Sequence, residues 1–339
     1  MSGRMLTAQE TAALLRGMDD VLLLTHVRPD GDTVGSAAAL CRALRDMGKT
    51  AYLLPNSGIT PTYESYAAPY WAPEGFAPAH VVSVDIAALN LLPDNAAAYG
   101  QHVGLAIDHH GSHGFFAANT CLDADAAACG EIVYDIIRRL TAVTPDIALP
   151  LYVAVSTDTG CFVYTNTTAR THRIAAALLD TGIDVGPVNK VLFRTKSKTR
   201  LAMESRMAAD MTLYDRDRVV VMTIPLSLCR ELHAAEADIE ELSSLAALVE
   251  GTDCGVTLRE LRLLLAVARS GSILKAANEI GLTQPALSRS IADLEGAFGV
   301  RLFDRTNRGV APTPHGEVLL RRATGVFEEL RQAVNELRA

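Results

Sequence analysis

The 339-residue sequence contains no C-x-x-C pair; its six cysteines, at 41, 121, 129, 161, 229 and 254, are scattered. That excludes a zinc ribbon and a thioredoxin-like redox motif, and fits reduced thiols in a cytoplasm. No run approaches ~18 uninterrupted apolar residues, so no membrane span is expected. The opening "MSGRMLTAQETAALLRGMDD" has no long apolar stretch and carries Glu10, Asp19 and Asp20. No signal peptide is expected from it, and a cytoplasmic location is. Internal repeats and low-complexity tracts are also missing. What is present, 49% apolar and 21% charged residues, is a globular composition long enough for two or three domains.

The net charge of −8 is unevenly spread. Residues 256–339 hold 12 Lys+Arg against 9 Asp+Glu, whereas residues 1–255 hold 19 against 30. The acidic first part suits cation sites or simple solubility. The mildly basic last part permits nucleic-acid contact.

Over the first 180 residues short apolar strands alternate with helical patterns. "VLLLTH" (21–26), "AYLLP", "HVVSVDI" and "VGLAIDHH" have the character of buried strands. Residues 33–48, 126–140 and 169–182 have helical spacing, the first closed by Gly48. Such alternation predicts an α/β fold, a parallel sheet covered by helices on both faces. Sites in such sheets form beyond the carboxyl ends of the strands. His26, Asp85 and Asp108 to His110 fall at such ends. From 182 to 200 the pattern loosens, and the cluster of Arg194, Lys196, Lys198 and Arg200 is a solvated face or a phosphate contact. A strand over 217–224 opens a new unit.

"THVRPDGDTVGS" (25–36) puts His26, Asp30 and Asp32 in one loop. In an extended segment Asp30 and Asp32 point the same way, and Asp32 or Thr33 is placed to cap the following helix. Asp85 ends "VVSVD", Asp108-His109-His110 ends "GLAID", and Asp158 lies in "AVSTDTGCF". A lone aspartate at a strand end is usually a cap or turn residue. Four such clusters, each where an apolar segment gives way to a loop, carry more weight. Histidine and carboxylate without cysteine suit Mn²⁺, Mg²⁺ or Zn²⁺, the carboxylate share favouring the harder ions. Two such ions close together would clamp a phosphoryl oxygen and ionise a bridging water.

"HVRPDGDTVGS", "VDIAA", "AIDHHGS" and "STDTGCF", in that order, resemble the DHH phosphoesterase superfamily, in particular its nanoRNase and pAp-phosphatase type, related to RecJ-like exonucleases. The resemblance covers about residues 5–258. It implies two metal ions, usually Mn²⁺ with Mg²⁺ as the substitute. It also implies hydrolysis of phosphate esters in short oligonucleotides or 3′-phosphoadenosine 5′-phosphate. Carried over motif by motif, His26 and Asp30 hold one ion. Asp32, His109 and Asp158 hold the other, and Asp85 bridges them. His110 faces the substrate phosphate and Asp108 orients the histidine pair, which makes both catalytic candidates. His113 stays unassigned. His172, in an apolar helix, is expected to be packed and hydrogen-bonded rather than a ligand.

Residues 258–316 have a different character. "RELRLLLAVARSG" is a helix ended by Gly271, Ser272 is placed to cap "ILKAANEI", and Thr283 to cap "QPALSRSIADLEGAF", with Pro285 in its first turn. Two short helices about a glycine-containing turn form a helix-turn-helix, and "VRLFDRTNRGVAPT" a hairpin. Periodicity alone fits a small helical bundle equally well. The string from "SILKAANEIGL" to "APTPHGEVLL", however, resembles the DNA-binding domain of LysR-type transcriptional regulators almost throughout. That resemblance makes 283–295 the recognition helix, 301–312 the wing and 314–337 a linker helix pairing two subunits. Thr283, Gln284, Pro285, Ser288 and Arg289 match DNA-facing positions, and Arg305 and Arg308 match the wing.

Two departures from these families stand out. LysR-type regulators begin with this domain and continue into an effector-binding one; here it comes last, so any ligand sensing is expected from the DHH part. DHH phosphoesterases of this type carry an associated substrate domain ending in a glycine-rich stretch; residues 217–258 resemble its first half and the stretch is missing. The expected organisation is a catalytic domain (1–185), a connection (186–216), a truncated α+β associated domain (217–257), a winged helix-turn-helix (258–313) and a dimerisation helix (314–339). The expected activity is a metal-dependent phosphoesterase, impaired by the truncation, in a homodimer that binds duplex DNA and no membrane. The alternative is a DNA-binding transcriptional regulator whose DHH part is vestigial or a sensor.

Overall fold

Six short strands form, the central β2, β4 and β5 from runs of Val, Leu and Ile bounded by polar turns: β1 (Arg4–Met5), β2 (Val21–Leu24), β3 (Ala51–Leu53), β4 (His80–Val84), β5 (Val103–Asp108) and β6 (Asn119–Leu122). The computed structural model describes residues 3–214, 219–239, 242–250, 258–280, 284–298, 300–306 and 309–336. They fall into two units, divided between Thr195 and Lys196.

In the first unit the six strands form one parallel sheet in the order β1-β6-β5-β4-β2-β3. Both faces are covered, and the strands alternate between them with period two. Val21, Leu23, Val82, Val84, Leu105 and Ile107 belong to the larger core. There they meet residues of α1 (Ala8–Arg16), α2 (Gly31–Asp46), α3 (Pro61–Ala67), α4 (Cys129–Leu140), α5 (Pro145–Asp158) and α6 (Ala169–Leu179). Leu22, Leu24, Val81 and Ala106 face the other way, against Leu91 and Tyr99 of two 3₁₀ segments and Leu92 between them. The chain leaves β2 for β3 on one side and returns to β4 on the other. The strand order therefore reverses between β2 and β4, where a crevice opens at the carboxyl ends. His26 and Asp85 follow those two strands. A short α7 (Gly186–Asn189) comes after α6.

The expected elements formed with shifted ends. The helix read over 33–48 begins two residues earlier, at Gly31, and stops before Gly48, whose φ is +79°. Those over 126–140 and 169–182 are Cys129–Leu140 and Ala169–Leu179. Strands β1 and β6 and helix α5 were not anticipated.

The second unit opens with α8 (Lys198–Ala209), where a connection was expected, then an antiparallel ribbon of β7 (Thr212–Tyr214) and β8 (Val219–Val221), α9 (Leu226–Glu231) and α10 (Glu236–Ile239). Lys196 and Arg200 are tied to Glu204 at 2.7 and 3.1 Å. Met203, Met207 and Leu242 form a small core. Among the described residues no third strand joins the ribbon, and Leu213 and Val221 are 38% and 42% exposed. A separate core then joins α11 (Leu258–Ser270), α12 (Ile273–Ile280) and α13 (Gln284–Phe298) to a hairpin of β9 (Phe303–Thr306) and β10 (Gly309–Pro312) and to α14 (Pro314–Glu336). Ser272 caps α12, its Oγ accepting from Lys275 N–H at 3.4 Å. Glu295 fixes the base of the hairpin by accepting from the N–H groups of Leu302 and Phe303 at 2.7 and 3.1 Å.

Candidate metal centre

The loop after β2 turns directly into α2, and Asp30 is the cap: its Oδ1 accepts from the N–H groups of Asp32 and Thr33, each at 3.1 Å. The expectation of an extended Asp30–Asp32 pair, with Asp32 or Thr33 as cap, is thus corrected. Asp32 already lies in the first helical turn, fully buried. Its Oδ1 accepts from Gly130 N–H and Ser36 Oγ, both at 2.9 Å, and its Oδ2 from Cys129 N–H at 2.6 Å. Asp32 therefore supplies partners for the first amides of α4, whose own N-cap position holds an alanine.

Two glycines let α2 reach this place. A Cβ on Gly35 would stand 2.3 Å from Pro150 O, and one on Gly31 would stand 2.4 Å from Thr157 Oγ1. The start of α2 thus lies against the end of α5, whose last residue is Asp158. Asp158 ends a helix, not a strand. That helix stops because Gly160, Cys161 and Phe162 take φ values of +55°, +56° and +69°. Asp85 also sits in the left-handed region, at φ +59°, with its N–H donated to Ile107 O at 2.8 Å. Backbone strain of this kind at a non-glycine residue clusters at functional sites.

All six expected ligands converge. His26 Nε2 is 3.6 Å from Asp30 Oδ1 and 3.9 Å from Asp85 Oδ2. His109 Nε2 is 3.8 Å from Asp32 Oδ2, 3.5 Å from Asp85 Oδ1 and 3.4 Å from Asp158 Oδ2. His110 Nδ1 is 3.5 Å from Asp85 Oδ1 and 2.7 Å from Asp108 Oδ1. His26, Asp30 and Asp85 form one set whose donor atoms lie within 4.8 Å of one another; Asp32, His109 and Asp158 form a second. Asp85 also forms a third with His109 and His110. His109 Nδ1 lies 3.2 Å from the carbonyl of Ala126. That contact keeps the proton on Nδ1 and leaves the Nε2 lone pair free.

The electrostatics fit a cation. Burial, then the charge of Asp30, pushes Asp32 up to about 7. Burial, then Asp32, does the same to Asp158. Asp85 rises well above the usual carboxylate range through burial and the four surrounding aspartates. Its Oδ1 is buried with no hydrogen-bond partner, a costly state for a carboxylate oxygen unless something positive meets it. Asp30 and Asp108 go the other way. Desolvation raises both, but the nearby His26 ring with the N–H groups of Thr33 and Asp32 in one case, and hydrogen bonds from His110 and His113 in the other, hold them low. Partial desolvation lowers His110, but its bond to Asp108 outweighs this and raises it.

His113, left unassigned above, is buried with Nδ1 2.8 Å from Asp108 Oδ2. His172 is exposed and stacks on Phe162 at 5.4 Å between ring centroids; it is neither a ligand nor a buried core histidine. A cleft of about 610 Å³ lined by Val27, Asn56, Trp71 and Asn95 adjoins His26, whose carbonyl accepts from Asn56 Nδ2 at 2.9 Å. In the second unit Gln284 is exposed and Ser288 half-buried on α13; Pro285 and Arg289 lie on the same helix and Arg305 on β9. Thr283 and Arg308 lie outside the described residues. Among the described residues, no helix is long and apolar enough to cross a membrane.

The sequence is 31% identical over 250 residues to the bifunctional oligoribonuclease and PAP phosphatase NrnA of Thermus thermophilus, an alignment spanning 71% of this chain and 72% of that protein. The chain belongs to the DHH family. Residues 20–155 match the N-terminal domain of the DHH family. An exopolyphosphatase-related protein from Bacteroides fragilis shares the fold of this DHH chain, with a TM-score of 0.64 at 19% identity over 72% of this chain and 77% of that one. Fused to the DHH part, residues 258–317 match the bacterial regulatory helix-turn-helix protein, lysR family. There the DHH chain is 52% identical over 71 residues to the HTH-type transcriptional regulator TdcA of Escherichia coli K12, covering 21% of this chain and 23% of that regulator. The chain thus spans about a quarter of the length of that regulator.

Proposed function

We propose that the first unit is a phosphoesterase that uses two divalent cations, Mn²⁺ or in its place Mg²⁺, on short oligonucleotides or 3′-phosphoadenosine 5′-phosphate. The observation that carries this reading is Asp85 Oδ1, a buried acceptor without a partner between the two donor sets. His26 and Asp30 would hold one ion; Asp32, His109 and Asp158 the other; Asp85 would touch both. Bound there, the ions supply Lewis acidity to the phosphoryl oxygens and lower the pKa of a water. The chain's own residues do the rest. Asp85, strained and buried, is fixed so that it need not reorganise. His110 stands beside the site with Nδ1–H given to Asp108, so that in its doubly protonated form Nε2–H can donate to a phosphate oxygen as charge builds there. The cleft beside His26 is of a size for a nucleoside. The Thermus relative, named for both substrates, supports this choice.

The winged helix-turn-helix favours a second activity, binding of duplex DNA through Thr283, Gln284, Pro285, Ser288, Arg289, Arg305 and Arg308. The chain would act as a homodimer paired through α14, in the cytoplasm. Residues 1–185 would carry catalysis, 217–257 half of a substrate domain and 258–313 DNA recognition. The missing glycine-rich stretch leaves the substrate less well held, so turnover should be impaired. A regulator whose DHH part only senses a ligand would bind nucleotide without hydrolysing it.

Hydrolysis of a diribonucleotide and of 3′-phosphoadenosine 5′-phosphate, with and without Mn²⁺, separates the two readings. Asp85→Ala should abolish turnover and lose more bound metal than any other single ligand change. A wild-type protein that folds, binds no Mn²⁺ and cleaves neither substrate would refute the enzyme.

A further inference from the structure

Asp108 is wholly buried, and its two oxygens are served unequally. Oδ1 accepts from the N–H groups of His109 and His110 at 2.9 and 3.3 Å and lies 2.7 Å from His110 Nδ1. Oδ2 has one partner among the described residues, His113 Nδ1 at 2.8 Å. A tight turn brings His113 there: its N–H donates to His110 O at 3.0 Å, and the next N–H, of Gly114, donates to Ala87 O at 2.8 Å. Phe115 and Phe116 pack on the ring at 5.4 and 5.1 Å between centroids. His113 Nε2 is buried and has no hydrogen-bond partner. A proton there would be an unpaired buried donor, whereas on Nδ1 it is given to a carboxylate.

We propose that His113 is a positioning residue: as an Nδ1–H donor it fixes the plane of the Asp108 carboxylate, and through Asp108 it fixes the His110 ring. The three contacts on Oδ1 come from the two residues that follow Asp108, so they move with the loop they are meant to hold. The bond at Oδ2 adds a second anchor, on the opposite oxygen and from a buried ring, that resists rotation of the carboxylate about Cβ–Cγ. His110 is then held with Nδ1 inward and the rest of its half-exposed ring toward the substrate side. The link to turnover rests on the phosphoesterase reading; the orientation of His110 does not.

The test compares His113→Leu, which removes the donor, with His113→Asn, whose Nδ2–H can stand where Nδ1–H stood. His113→Leu should lower kcat by about 10–100-fold with little change in KM or in Mn²⁺ stoichiometry, and His113→Asn should recover most of the loss. Full activity in the leucine variant, or equal loss in both, would overturn the proposal. Long-range ¹H–¹⁵N spectra of the metal-free protein give a second reading that needs no turnover. In their neutral forms His110 and His113 should each be a single Nδ1-protonated tautomer in the wild type. His110 should become a mixture in His113→Leu and return to one form in His113→Asn. Unchanged His110 signals in the leucine variant would overturn the proposal. If wild-type protein cleaves nothing, the phosphoesterase reading fails while these spectra still decide the positioning. Should the leucine variant not fold, the wild-type spectrum decides alone: an Nε2-protonated His113 overturns the proposal and an Nδ1-protonated one supports it.

Discussion

Raising the pH of the metal-free protein from about 5 to about 8 should destabilise the first unit. Asp32 and Asp158 are each pushed up to about 7 from an ordinary 3.8. A carboxylate whose folded pKa is raised binds more protons folded than unfolded between those two values. Its stabilising proton is therefore lost as pH climbs, and stability falls until the folded pKa is passed. Taken alone, a shift of that size corresponds to about 4 kcal/mol. The two groups share one repulsion, and Asp158 is 29% exposed, so the pair together is assigned on the order of 4 kcal/mol. Roughly 3 kcal/mol of it falls above pH 5. His110, also raised, adds to the same trend, since a histidine's stabilisation fades as pH rises through its folded pKa. Asp30 and Asp108 are lowered, and their stabilisation is lost only in stronger acid. The chain's single tryptophan, Trp71, lies in this unit, so its fluorescence follows this unit's unfolding directly. The midpoint without metal should drop by about 6–12 °C across the range, about half as much in Asp158→Asn, and the slope should reverse in saturating Mn²⁺. A metal-free midpoint that is flat or rises from pH 5 to pH 8 would refute the reasoning.

Three other outcomes are expected. Gly35→Ala, whose added carbon would stand 2.3 Å from Pro150 O, should cost about 1–3 kcal/mol in urea unfolding and weaken Mn²⁺ binding by moving Asp32 away from Asp158. Arg289→Ala should weaken binding of a cognate duplex by about 1–3 kcal/mol if it meets a base edge, as a fluorescence-anisotropy titration at fixed salt would register. The β7–β8 ribbon, which no third strand joins among the described residues, should promote self-association, and Val221→Lys should reduce it in sedimentation velocity; an unchanged distribution counts against the ribbon as the contact.

Much of the site was legible because its residues stand at chain positions that announce themselves. His26, Asp85 and Asp108 each follow a continuous apolar run, and in a parallel sheet the ends of such runs lie together. Helix α5 escaped notice for a physical reason. It is buried on nearly every side and carries Pro150 in its interior, so neither amphipathic period nor breaker rule marks it. Asp158 therefore joins Asp32 and His109 from a helix end, where the end of a strand was expected. Strand β1 has two residues and β6 reads "NTCL"; neither is long or apolar enough to show a period. The capping role of Asp30 was given to its neighbours because an extended loop was assumed where the helix had already begun. The partnership of His113 with Asp108 depends on a turn that folds the chain back under the strand, and residue spacing does not convey it.

Most helices carry the cap that starts them in the preceding residue. Helix α4 instead borrows Asp32, 97 positions upstream of Cys129. Its first turn cannot be completed by local chain folding; α2 must already be docked against it. A peptide of residues 129–140 should therefore fray at its N-terminus, and the segment should gain hydrogen-exchange protection only after α2 has packed. Any substitution that frees Asp32 for tighter metal binding would unfasten the start of a core helix, so this centre's affinity and its order of assembly cannot be tuned separately.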